Sequence, residues 1–218
     1  MLAPFFAPHV EAILANAASV VGWGVGIHSP QQKQIDGDIR GEPVWEGAAA
    51  LAQKFALLGL RDNIGWNYDH VSCVSCLAPL FANEHRNEIR HRVAIYSHRR
   101  MPIGLPGVPQ MTNNTRFAEA IGFIASAEHI VTNSYHGAYW ALLLGRRVSA
   151  IPWCVKFLHF GTPLELIGFR EIGDAIKSDT KAPPDPARSF YRQCVDENIR
   201  FHRKASERVS LPKLLAAV

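Results

Sequence analysis

One histidine stands in a polar turn between two apolar runs. The order is Ala127-Glu128-His129-Ile130-Val131-Thr132, then Asn133-Ser134-Tyr135-His136-Gly137, then Ala138-Tyr139-Trp140-Ala141-Leu142-Leu143-Leu144-Gly145. This reads as a short buried strand, a turn, and an apolar helix. At the carboxyl end of a strand in an open α/β sheet, loops converge and a helix N-terminus offers unpaired N–H groups. His136 is thereby placed for proton transfer on an anionic substrate, because an imidazole titrates near neutrality. Its plainer reading is packing against Tyr139 and Trp140. Ser134 and Gly137 sit where backbone N–H groups would face an anion, and Ser134 equally suits the helix cap. His98, Arg99 and Arg100 follow a second apolar run, Val93-Ala94-Ile95-Tyr96, so they belong to the same sheet edge. An arginine there can clamp a carboxylate or phosphate with two parallel hydrogen bonds. Lys156 follows a further apolar run at 148–151 and is expected to meet His136 and Arg99 over one anion. Its plainer reading is a stem lying over Trp153 and Phe157.

Other patterns carry less. Arg61-Asp62 reads as a structural ion pair before it reads as a sugar ligand. Gly22, Gly24 and Gly26 alternate, which would put all three on one side of a strand and allow close approach there. The spacing is not G-x-G-x-x-G, because Ser29 stands where the third glycine is required, and a dinucleotide fingerprint is rejected. Cys73 and Cys76 form a single C-x-x-C. A zinc site usually takes two such pairs, and a redox pair wants a strand-to-helix setting. They are read, with Cys154 and Cys194, as structural thiols of a reducing compartment. No metal is expected.

The elements that must position these residues follow from pattern. A helix is predicted at 9–18, a glycine-bearing strand at 19–27, a polar loop at 29–42 and a helix at 46–58 closed by Gly59. An irregular segment follows to residue 79, then a strand at 92–97 and a loop at 98–114. A helix at 116–127 is expected to be capped by Asn114 or Thr115, and leads to a strand at 129–132. The helix at 138–144 is closed by Gly145, and a strand at 148–151 follows. Short helical pieces at 163–176, a proline break at 183–186 and one long charged helix at 187–209 complete the chain. From residue 92 strands and helices alternate, which predicts an α/β class with a parallel sheet under covering helices. The expected division is 1–90, a partial acceptor-side domain, and 91–218, a Rossmann-like donor-binding domain that ends in the long helix.

Composition sets the outer bounds. The 218 residues are 48% hydrophobic and 19% charged, which suits a soluble protein with a sizeable core. A net charge of +4 beside 10 histidines favours small anionic ligands. No dense Lys/Arg tract interleaves with aromatics, so nucleic acid is not an expected partner. No apolar run approaches the ~18 residues of a membrane span, and residues 1–8 lack the basic start of a signal peptide. A cytoplasmic protein is expected.

The histidine turn with its strand and helix resembles the C-terminal domain of the polysaccharide pyruvyl transferase family. Val21-Gly22-Trp23-Gly24-Val25-Gly26-Ile27 resembles the glycine-bearing strand of that family's first domain, and Leu60-Arg61-Asp62 its Arg-Asp segment. Val71-Ser72-Cys73-Val74-Ser75-Cys76 with Pro79-Leu80-Phe81 is similar to a segment between the domains. Ile151-Pro152-Trp153-Cys154-Val155-Lys156-Phe157 resembles its Ser-Lys-Phe region, and residues 194–202 its end helix. The resemblance implies a two-domain, GT-B-like architecture with the first domain truncated. It implies transfer of a pyruvyl group from phosphoenolpyruvate to a saccharide or lipid-linked oligosaccharide, forming a ketal in exopolysaccharide biosynthesis. No cofactor beyond that donor is implied, and the acceptor allows peripheral association with the inner face of the membrane. His136 would be the catalytic acid. Arg99, Arg100, Ser134, Tyr135, Gly137 and Lys156 would bind substrate. The family's turn reads Arg-Leu-His-Gly. Here Ser134-Tyr135 precede His136-Gly137, so the arginine's charge must come from elsewhere, and Lys156 is the expected substitute. The alternatives are a nucleotide-sugar glycosyltransferase using the same cleft and a non-catalytic glycan-binding scaffold.

Overall fold

The computed structural model describes residues 1–27, 45–82, 89–177 and 188–209. The expected loop at 29–42 and the proline break at 183–186 lie outside them. The first part of the chain runs α1 (Ala7–Asn16), β1 (Val21–Val25), α2 (Gly47–Ala52), β2 (Leu57–Leu60) and β3 (Asp69–His70). A 3-10 turn (Val74–Leu77) and α3 (Pro79–Ala82) lead into the second sheet. There follow β4 (His91–Ser97), β5 (Gln110–Thr112), α4 (Phe117–Ala125), β6 (Ala127–Thr132), α5 (Tyr135–Leu143) and β7 (Arg147–Ala150). A 3-10 turn (Val155–Phe157), β8 (Glu165–Leu166), a 3-10 turn (Phe169–Glu171), α6 (Ile172–Lys177) and α7 (Ser189–Val209) close the described chain.

The class is α/β. Two sheets form, in the orders β1-β2-β3 and β5-β4-β6-β7-β8, and every pairing between strands is parallel. The second sheet shows why. Successive side chains of a strand point to opposite faces, and in β4 Ala94 and Tyr96 enter one core while Val93 and Ile95 enter another. Ile130 and Val131 of β6 divide the same way. Both faces are covered, so these strands read as continuous apolar runs. Register then aligns the carboxyl ends: Tyr96 pairs with Thr132, and Thr132 with Ala150.

Several local expectations change. The helix at 46–58 ends at Ala52, and Leu57–Leu60 pairs as a strand with β1, Val21 opposite Leu57. Gly59 therefore lies inside a strand, where a Cβ would come 2.5 Å from Val71 Cγ2 and 2.9 Å from Phe201 Cε2. Long-range burial on both faces overrides a helical run of alanines. The loop at 98–114 contains the edge strand β5, and the pieces at 163–176 begin with β8 on the other edge. The capping position of α4 is Arg116, with no side-chain cap, because Thr115 Oγ1 donates instead to the Thr112 carbonyl at 3.3 Å. Gly24 has φ +57°, and the β1–β2 register shifts between Gly22 and Val25. The three glycines of β1 thus do not share one face. Gly145, at φ +68°, closes α5 as expected. Its N–H donates to Leu142 O at 2.9 Å and that of Arg146 to Ala141 O at 2.9 Å, a Schellman arrangement.

Helix α7 touches both sheets. Phe190 and Cys194 enter the core beneath α5, while Phe201 packs edge-on to Trp23 with ring centroids 5.3 Å apart. Between them Glu197 accepts hydrogen bonds from Ser72 Oγ (2.7 Å), Ser72 N (3.2 Å) and Gln193 Nε2 (2.9 Å). His70 Nδ1 lies 3.3 Å from the same carboxylate. Asn198 accepts from Trp23 Nε1 at 2.7 Å and donates to the Ser72 carbonyl at 3.2 Å. Among the described residues no helix is long and apolar enough to cross a membrane.

Candidate functional site

The histidine turn is built by its neighbours. Ser134 caps α5: its Oγ accepts from Gly137 N at 3.3 Å, and its own N–H donates to Thr132 Oγ1 at 2.9 Å. A Cβ on Gly137 would come 2.6 Å from both Thr132 Oγ1 and Tyr96 Cδ1, so the helix start can sit this close to the sheet only with glycine. Ser134 and Gly137 are both buried and spend their polar groups on the turn. They shape the site, and the side chains that line it are Tyr135 and His136, both half-buried.

His136 stacks on Trp140 (centroids 5.3 Å, planes 29° apart) and meets Tyr135 edge-on at 5.6 Å. Its Nε2 lies 3.8 Å from the sulfur of Cys73. Cys73 arrives from the first half of the chain, just before the 3-10 turn at Val74–Leu77. Side chains of α5 hold that segment in place. Tyr139 Oη donates to Cys73 O at 2.8 Å, and Trp140 Nε1 to Ser75 Oγ at 3.1 Å. Ser75 Oγ in turn donates to the Cys73 sulfur at 3.3 Å.

Two cations bear on His136: Arg61 and Lys156. Arg61 leaves the end of β2, lays its guanidinium over the Tyr135 ring at 4.8 Å, and interacts electrostatically with the Cys73 sulfur. Gly26 makes room for it, since a Cβ there would lie 2.6 Å from both Nε and Nη2. The next residue, Asp62, is only 3% exposed. Its Oδ2 accepts from Ile27 N, and burial pushes its carboxyl up against the pull of Arg61. Arg61 Nε and Asp62 Oδ1 are buried and have no hydrogen-bond partner among the described residues. Lys156, on the turn after β7, is half-buried with Nζ 3.1 Å from Met1 Sδ. Burial, and then repulsion from Arg61, holds its ammonium below the usual lysine range.

The electrostatic result is a site with unbalanced positive charge. Burial first, then Arg61 and Lys156, push the His136 imidazole down to about 4. It is therefore neutral at pH 7 and faces two cations. An anion placed among them would relieve His136 and Lys156, the two groups held down there.

Of the residues singled out in the sequence, His136, Tyr135 and Lys156 come together, with Ser134 and Gly137 as their support. Arg99 and Arg100 are exposed at the end of β4. Their backbone N–H groups are held by Asn113 Oδ1 (2.7 Å) and His98 Nδ1 (3.3 Å). Their charges act on His98, which burial and both arginines push down. The arginine whose charge bears on His136 is Arg61. The sequence signal for it was the Gly26–Arg61 combination, a small residue on one strand making room for a long one on the next. Cys73 was read as structural, and no local pattern joins it to a histidine 63 positions away. Among the described residues no three His, Cys, Asp or Glu side chains gather as a metal site. Comparisons of the chain with protein-family models, with curated proteins and with solved structures found no match.

Proposed function

We propose that this cleft binds phosphoenolpyruvate and transfers its pyruvyl unit to a saccharide, closing a cyclic ketal and releasing phosphate. The observation that carries the reading is His136 at the start of α5, edge-on to Tyr135, whose ring carries the Arg61 guanidinium at 4.8 Å, with the charges of Arg61 and Lys156 both bearing on the imidazole. A three-carbon donor with a carboxylate at one end and a phosphate beside it matches two separated cations. Arg61 offers its fork to the carboxylate, and Lys156 gives the phosphate a point charge. On this reading the two sheets act as the acceptor and donor sides of a GT-B-like cleft.

The chemistry needs a proton on C3 of the enol to make C2 electrophilic. His136 is the group placed for that. From about 4 in the free protein, reaching neutrality takes ~3 pKa units, or ~4 kcal/mol. One negative charge at ~4 Å is worth ~4 kcal/mol at an effective dielectric of ~20, and the donor brings more than one. Substrate binding thus arms the acid. The enol CH2 becomes a methyl group, two acceptor oxygens bond to C2, and the C2–O bond to phosphate breaks. The neutral imidazole left after protonating C3 then accepts a hydroxyl proton. Fixed cations aimed at the departing phosphate supply most of the rate, as expected for preorganised charge.

The test is isotope transfer. Carbon-labelled phosphoenolpyruvate, incubated with the protein and a glycan acceptor fraction, should yield an acid-labile pyruvyl glycan, with inorganic phosphate released in equal amount. Transfer of label from nucleotide sugars, with none from phosphoenolpyruvate, overturns the reading in favour of a glycosyltransferase.

A further inference from the structure

Cys73 is the one half-exposed cysteine; Cys76, Cys154 and Cys194 are buried. Its sulfur receives a hydrogen bond from Ser75 Oγ at 3.3 Å, and the Arg61 guanidinium bears on it electrostatically. The His136 imidazole stands 3.8 Å away through Nε2. A donor and a base converging on a thiol, with a guanidinium's charge bearing on the sulfur, make the arrangement of an activated nucleophile, in which the base takes the thiol proton as sulfur attacks. A second observation points to a ligand at the same place. Asp62, more than nine-tenths buried beside Arg61, keeps Oδ1 without a partner, and so does Arg61 Nε, among the described residues. Arg61 bears electrostatically on both the thiol and the imidazole, so an unused buried donor belongs to the group that joins the pair, and buried polar groups are ordinarily satisfied.

We propose that Cys73 is a nucleophile of this cleft and adds covalently to C2 of a small enol carboxylate, with His136 carrying the proton. The proposal rests on the pyruvyl-donor reading above and names the group that meets the donor first. The thiol proton passes to His136 Nε2 and from there to C3 of phosphoenolpyruvate. The C2=C3 π bond is consumed, and a sulfur–C2 bond forms. The net change is addition of S–H across a double bond. The phosphate stays on C2 until one acceptor hydroxyl takes its place, that hydroxyl's proton leaving with the phosphate. The second hydroxyl then displaces sulfur and returns its proton to the thiol through His136, so no oxidant or reductant is needed. Arg61, whose charge bears on the sulfur and whose fork would take the carboxylate, holds both partners of the new bond together. Tyr139 and Trp140, which pin the Cys73 backbone and Ser75, fix the sulfur over the histidine.

The experiment has two arms and uses the whole chain. In the first, protein is mixed with phosphoenolpyruvate alone, quenched in acid and weighed intact, while calorimetry records binding of the same donor. In the second, Cys73 is alkylated with iodoacetate and with iodoacetamide, and the ratio of rates is set against that of a free thiol. The expected results are a gain of one whole phosphoenolpyruvate per chain, mapped to the Cys73 peptide, and a rate ratio shifted toward the anionic reagent by roughly tenfold or more. Cys73→Ser should lose the adduct, and His136→Gln should slow both reactions; a thermal melt shows that each variant is folded, with Cys73→Ala as the second choice. Binding without an adduct, together with an unshifted ratio, overturns the nucleophile and leaves the donor reading standing. No binding, no adduct and an unshifted ratio overturn both.

Discussion

Replacing Gly26 with alanine tests the site through a residue that touches no substrate. A Cβ at this position would lie 2.6 Å from Arg61 Nε and Nη2 and 2.8 Å from Cζ. A Cβ does not come that close to a non-bonded atom, so something must move. What stands in the way is the end of a long flexible side chain, and Gly26 carries no positive φ among the glycines that do. The guanidinium should swing aside with the strand intact, at a cost near ~1 kcal/mol. Removed from its post, Arg61 forfeits charge-assisted hydrogen bonds to a carboxylate worth ~1.5–3 kcal/mol, which weakens donor binding by roughly 10–100-fold. Calorimetric titration with phosphoenolpyruvate measures the loss, and thermal unfolding checks the fold. Arg61→Ala should lose a similar factor. The double variant should lose little more, because both changes remove one interaction. Wild-type affinity in both single variants would refute the placement of Arg61 at the donor. Losses that add in the double variant would refute the claim that Gly26 acts through Arg61.

Other consequences can be measured independently. His129, bonded to Ser149 Oγ at 2.8 Å, is pushed down to about 4, by burial first. Its unfolded form takes a proton near pH ~6.5. The stability that rests on its neutral state is therefore complete above ~6.5 and lost as pH falls through about 4, and His129→Gln should remove ~3 kcal/mol of that acid slope in urea titrations. Glu197, held down at about 2 by His70, Gln193 and Ser72 against the opposing effect of burial, contributes stability above its ordinary range that is lost as pH falls toward 2. Glu197→Gln, which turns an amide N–H toward one of those donors, should cost ~2–4 kcal/mol at pH 7 by urea unfolding. Gly137→Ala forces a methyl against Thr132 and Tyr96 in the core; chemical denaturation should show a loss of ~1–3 kcal/mol.

What the sequence disclosed, and what it hid, divides along the range of the interactions. β4, β6 and β7 were legible because both their faces are buried, which leaves an unbroken apolar run. α7 was legible from its charged face, and the close of α5 from Gly145. By contrast, Leu57–Leu60 is an apolar stretch too short to declare its period, and only pairing with Val21–Val25 makes it a strand. β5 has three residues inside a segment rich in proline and glycine, and it exists because β4 offers Ile95–Ser97 as a template. In the site, His136 was visible from its place between strand and helix. Arg61 was disguised by Asp62, its immediate neighbour and obvious partner. Its true setting needs Gly26, just past β1, and the Tyr135 ring at the start of α5. Arg99 lies exposed after a strong strand, and a strand end fixes the position of a residue and not the direction of its side chain.

The central claim is that Arg61 and Lys156 hold one anionic donor against His136. Crystals soaked with phosphoenolpyruvate put it to the most direct test. The account predicts carboxylate density on the Arg61 guanidinium, phosphate density on Lys156, and C3 of the donor within reach of His136 Nε2 or the Cys73 sulfur. A donor seated on Arg99 and Arg100 at the end of β4, or a cleft left empty at saturating concentration, contradicts it.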